Sequence, residues 1–69
     1  MNYKNLLLAA QARLGHAQRR FRQLQRELVE CEDRESRVEI TRQMSIVLQT
    51  VSNEKALVEC IKLKMKAIH

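Results

Sequence analysis

Proline and tryptophan are missing from this 69-residue chain, and glycine occurs once, as Gly15. Without proline or glycine clusters, loop-rich and β architectures lose their usual turns, and long uninterrupted helices are favoured. Only Tyr3 and Phe21 are aromatic, so the core must be aliphatic and thin. No run approaches the roughly 20 apolar residues that a bilayer span needs. The apolar stretch 6–10 is ended by Gln11 and Arg13 and preceded only by Lys4, which does not fit a secretory signal. A cytoplasmic protein without a membrane segment is the expectation.

Catalytic chemistry is equally short of material. The two histidines are His16, on the outer side of the first half, and His69, at the frayed end. No His-x-x-x-His, Cys-x-x-Cys or Glu-x-x-His spacing occurs, and no glycine-rich phosphate loop. Neither a metal nor a cofactor is expected. Cys31 and Cys60 are too few for a disulfide framework, and their placement in two different helices disfavours a bridge. They read as small buried hydrophobes in a reducing compartment. A non-enzyme is the expectation.

What is present is an ordered apolar pattern. One ladder reads Tyr3, Leu7, Ala10, Leu14, Ala17, Phe21, Leu24, Leu28, Cys31. A second reads Ile40, Met44, Val47, Val51, Glu54, Val58, Ile61, Met65, Ile68. Steps of four and three keep side chains on one stripe of an α-helix, the seam that coiled coils bury. The ladders are out of phase, and the slip falls near mid-chain. A turn there lets the stripes face each other. The pattern predicts a single all-α unit over 1–69, an antiparallel two-helix hairpin resembling a coiled coil. The first helix is expected over 2–33, the turn at 33–36 and the second helix over 37–67.

Local signals refine this. Asn2 or Asn5 fits the start of the first helix. Ser36-Arg37-Val38-Glu39 matches a capping box, in which Ser36 accepts from the amide of residue 39 and Glu39 reaches back to the amide of Ser36. Asp33 is a second cap candidate. The cluster 50–53 competes for backbone hydrogen bonds and invites a break or kink near Ser52. Val51 and Val58 stay in phase across it, which favours continuity. Glu54 holds a seam position, where an unpaired carboxylate is costly. Arg13 or Arg20 can reach it, and a paired Glu54 would fix the helix register.

Charge is lopsided. The net charge is +5, from 13 basic and 8 acidic residues. Lys4, Arg13, Arg19, Arg20, Arg22 and Arg26 precede the first acid, Glu27. In a hairpin Lys62, Lys64 and Lys66 join them, and the turn becomes the acidic end. Such a field orients the molecule toward a partner of matching charge. Nucleic acid is the obvious candidate, yet the arginines spread around the helix and no aromatic is available to stack bases. Nucleic-acid binding is therefore the lesser reading.

Leu6 and Leu8 widen the first stripe, Leu48 and Leu57 flank the second, one on each side, and Val29 and Leu63 lie further out. A two-helix seam leaves such residues uncovered. They imply a second helical surface, from another protein or another copy. With its length, hairpin pattern and turn, the chain resembles the small co-chaperone family of bacterial type III secretion needle proteins, the YscE/EscE-like group. The resemblance implies binding to a tetratricopeptide-like helical chaperone. Together the two would keep a needle subunit soluble before export. It makes Leu6, Leu8, Leu48 and Leu57 the partner-facing candidates. A homo-oligomer is expected when the chain is alone. A homo-oligomeric bundle serving a structural purpose is the remaining alternative.

Overall fold

In a computed structural model, which describes residues 2–68, the chain forms two helices. α1 spans Tyr3–Glu30 and α2 spans Arg34–Ile68. They lie antiparallel in a rod of 54 × 15 × 14 Å. The all-α hairpin read from the ladders is the fold. α2 runs unbroken through Ser52, so the polar cluster 50–53 does not interrupt it. Thr50 turns its hydroxyl onto the Ile46 carbonyl (3.2 Å), and Gln49 donates to Asn53 (3.0 Å). Competing polar groups are thereby satisfied within the helix. His69, expected to fray, lies outside the described residues.

The seam follows the two ladders. Ala10, Ala17 and Leu24 are buried from α1, and Val51, Val58 and Ile61 from α2. The other ladder members are half-buried except Ile68, which is exposed beyond the reach of α1. Ala10, Val58 and Ile61 form a cluster at the open end, with Tyr3, Leu7, Leu14 and Met65 packed around it. Small Ala10 and Ala17 let the helices approach, which is why a core with few large side chains still closes.

The turn is shorter and earlier than expected, at 31–33. Its cap is Asp33. Asp33 Oδ2 accepts from the Ser36 amide (3.0 Å) and from the Ser36 hydroxyl (2.8 Å). The Ser36–Glu39 capping box is thus corrected. Ser36 already lies inside the first turn of α2 and donates its hydroxyl rather than accepting. Glu39 accepts from Arg42 (3.0 and 2.7 Å) and Gln43 (3.3 Å) instead of reaching back. A full carboxylate is a stronger acceptor for helix-end amides than a hydroxyl, so Asp33 takes the cap. These bonds hold the Asp33 carboxyl below its usual range, the Ser36 hydroxyl contributing most and the Ser36 amide next. The Glu39 carboxyl is lowered mainly by its bonds from Arg42.

Arg37 closes the other side of the turn. Its Nη1 donates to the Leu28 and Cys31 carbonyls, both at 2.9 Å. Those carbonyls belong to the end of α1, where helix geometry leaves acceptors unfilled and the dipole is negative. No glycine is needed: no described residue has a positive φ. At the start of α1, Asn2 is the cap and accepts from the Asn5 amide (3.2 Å). Gly15 has only ordinary space to fill, since a Cβ there would meet Arg19 Nη1 at 3.5 Å.

Candidate interaction surface

Two edges flank the seam of an antiparallel hairpin, and helical register assigns each outer residue to one of them. The first edge is fixed by contacts between the helices. Arg13 Nε donates to Glu54 Oε1 at 2.9 Å. Arg20 Nη2 donates to Gln43 Oε1 at 3.2 Å. Toward the open end, Leu6 and Leu57 line one shallow groove with Tyr3, Ala9 and Cys60, rimmed by Arg13 and Lys64. Leu6 is 43% exposed and Leu57 41%. Half-exposed leucines facing each other across a seam are apolar area that one more side chain would cover.

The second edge carries two recesses. One, near the turn, is lined by Leu28, Val38 and Thr41, with Glu32 and Arg34 beside them. The other, near the open end, is lined by Leu7, Leu63 and Met65, with Lys62 and Lys66 at the rim. Thr41, Leu48, Lys55 and Lys62 follow at seven-residue spacing, so they share one stripe of α2. Leu48 therefore sits between the two recesses. Leu8 falls on the same side of α1, one turn beyond Lys4. The four leucines expected to face a partner are thus divided. Leu6 and Leu57 come together on one edge, while Leu8 and Leu48 lie separately on the other.

Glu54 occupies its seam position with its side chain 16% exposed. Of the two arginines able to reach it, Arg13 does so. Arg20 turns instead to Gln43 and lies 3.9 Å from Glu27. The second oxygen of Glu54 is shielded from solvent and meets no donor among the described residues. A half-satisfied carboxylate in a seam lowers stability.

Three features escaped the sequence reading. Val38 and Ile46 are exposed at 63% and 56%; both lie off the ladders, and only a count of every apolar residue outside the stripe finds them. Cys60 is exposed in the Leu6–Leu57 groove rather than buried, and Cys31 is half-buried, its thiol directed at the Asp33 carbonyl (3.5 Å). Both thiols are free. The arginines also gather more than their spacing suggested: Arg19, Arg20, Arg22 and Arg26 line one shallow recess with His16 and Gln23.

No helix among the described residues is long and apolar enough to cross a membrane. No group of three metal-ligating side chains occurs among them. No family model matches the chain, and no curated protein or solved structure matches it.

Proposed function

We propose that the chain is a non-enzymatic interaction protein that docks on a helical partner through its Leu6–Leu57 edge. One observation carries this reading: the fold brings leucines from opposite ends of the sequence into a single apolar groove and leaves both half exposed. The groove lies between two parallel ridges, a shape that receives the apolar stripe of another helix. Arg13 and Lys64 at its rim favour a partner helix flanked by acids. The resemblance to needle-protein co-chaperones supplies the identity of that partner. It would be a tetratricopeptide-like chaperone, engaged in the cytoplasm to keep a needle subunit soluble before export.

Co-expression with such a chaperone tests the reading. A stable one-to-one complex is expected, and Leu6→Asp with Leu57→Asp should abolish it while the chain keeps its helical circular dichroism. A double variant that still co-purifies would move the interface elsewhere. Failure of the unaltered chain to bind would remove the co-chaperone role.

A second reading has one observation in its favour. The recess formed by Arg19, Arg20, Arg22 and Arg26 offers four cations to a phosphate backbone. A salt-sensitive shift of DNA or RNA on a gel would support it; no shift at low salt would end it.

A further inference from the structure

We propose that the second edge, the one carrying Leu48, is a peripheral membrane-binding face that lays the rod along an anionic lipid surface. This goes beyond the docking of a helix at Leu6 and Leu57, because it uses the other edge and a different class of partner.

Charge is divided across the rod as well as along it. Glu54 pairs with Arg13 on the first edge. Glu39 accepts from Gln43, the side chain that Arg20 also meets, and Glu27 lies 3.9 Å from Arg20. Three of the eight acids are thereby placed on the first edge. The second edge has a different balance. Arg34 and Arg37 accompany Glu32 in the recess near the turn, and Lys62 and Lys66 accompany Glu59 in the recess near the open end. By register, Lys4 and Lys55 stand on the same edge. Six cations against two acids make both of its ends positive. The stripe of α1 between them is uncharged, with Gln11, Gln18 and Gln25. A surface of that sign takes an anionic partner.

The apolar residues decide between an acidic protein and a lipid surface. Val38, Leu48 and Leu63 are 63%, 53% and 66% exposed. A partner helix reads apolar side chains that recur every three or four residues. Here Leu48 stands ten residues from Val38 and fifteen from Leu63, which is about 15 Å and about 22 Å at a rise of about 1.5 Å per residue. Points so far apart give no continuous stripe for another helix. A bilayer interface needs none, since each side chain enters the headgroup boundary on its own. The edge is one side of a rod 54 Å long and 15 Å wide, so it presents these residues successively along one line of contact. Away from the turn its cations are all lysines, Lys4, Lys55, Lys62 and Lys66. Their methylene stems cover apolar surface while the ammonium groups rise to the headgroups. Separate aliphatic side chains and a few lysines give reversible attachment, which suits helices too polar to cross a bilayer.

The test is co-sedimentation of the full chain with phosphatidylcholine vesicles, with and without about one third phosphatidylserine. Binding to the anionic vesicles is expected to be at least about tenfold stronger than to the neutral ones, and to weaken as salt is raised. Two triple variants then remove the same charge from different faces. Lys55→Gln with Lys62→Gln and Lys66→Gln should weaken binding about tenfold more than Arg19→Gln with Arg22→Gln and Arg26→Gln. All six side chains are exposed, so both variants should keep their helical circular dichroism. A polarity-sensitive fluorophore on Leu48→Cys, in a Cys31→Ser and Cys60→Ser background, should shift to the blue on vesicles. The same label on Ile46→Cys, exposed on another face, should not. Absence of binding to anionic vesicles at low salt overturns the proposal. Equal loss in the two triple variants does so too, since net charge alone would then explain the binding. A blue shift at Ile46→Cys without one at Leu48→Cys would put lipid on the wrong face. An acidic protein that binds through Lys55 and Lys62, when vesicles do not, would give the edge to a protein partner and likewise overturn the proposal.

Discussion

The two ends of the rod are held together by different means. At the open end Ala10, Val58 and Ile61 are packed under Tyr3, Leu7, Leu14 and Met65, and the helices are joined by burial alone. At the turn end the chain itself joins them. There Leu24 is the one fully buried large side chain, and polar bonds from Asp33 and Arg37 do much of the rest. Loop closure over so short a turn costs little entropy, so the turn end can be built from caps and charges. The open end has no such advantage and must be apolar. The contrast also explains the charge field: acids gather where the covalent link tolerates them.

Leu24 offers the hardest blow to this contrast. Leu24→Ala removes the largest buried side chain and should cost about 2–5 kcal/mol, enough to unfold a lone hairpin in a thermal melt. A well-folded variant would mean that the caps alone hold the turn end. Ile61→Ala is expected to cost about 2–4 kcal/mol, with the loss of protection in hydrogen exchange beginning at the open end. Equal loss at both ends would erase the distinction.

The seam carboxylate sits between the two regimes. Replacing Glu54 by Leu removes a half-satisfied acid and should raise stability by about 1 kcal/mol, read as a higher urea midpoint. Arg13→Ala should lower it by a similar amount, about 1 kcal/mol, because the remaining acid loses the cation paired with it. If Glu54→Leu destabilises instead, Glu54 is an integral part of the packing rather than a register mark. Gly15→Ala should add up to about 1 kcal/mol, since the site has room and glycine weakens a helix interior. Loss of partner binding on that change would reveal a close helix approach at Gly15.

The smallest effect concerns the turn. Asp33 and Glu39 have folded pKa values below their ordinary ones. A depressed carboxyl contributes stability above its unfolded pKa, and that contribution fades as pH falls through the folded value. A modest decline in melting temperature is therefore expected below about pH 4, in the ordinary carboxylate range. Asp33→Asn keeps a good cap and should flatten that decline; Asp33→Ala should lower the melting temperature by a few degrees at neutral pH. An unchanged acid profile in Asp33→Asn would assign the decline to Glu39.

The seam was legible because its code is periodic and local: each ladder residue declares its face from its neighbours three and four away. Glu54 was legible for the same reason, as the one charge in an apolar series. Its partner was narrowed only to Arg13 or Arg20, since both flank the stripe and the choice depends on the axial offset of the helices. The turn was misplaced because two cap patterns overlap, Asp33 before Ser36 and Ser36 before Glu39, and periodicity does not rank them. Arg37 was invisible as a cap of α1, because a long side chain reaching back across a turn depends on geometry that no spacing encodes. That Leu48 and Leu57 lie on opposite sides of the second stripe follows from their spacing, but which of them shares an edge with which leucine of α1 depends on how the helices meet. Leu6 and Leu8 look alike in sequence, yet two residues along a helix separate the faces of the finished hairpin.

The pair of hydrogen bonds that Arg37 donates to the carbonyls ending α1 has a kinetic consequence. It ties the first turn of α2 to the last turn of α1 across a gap of a few residues. Such a contact forms at small sequence separation, before the distant ends have met. Folding is then expected to proceed as a zipper, nucleated at the turn and running outward, with Tyr3 and Met65 the last to find each other. Mutations at Arg37 should slow folding, whereas those at Ile61 should speed unfolding.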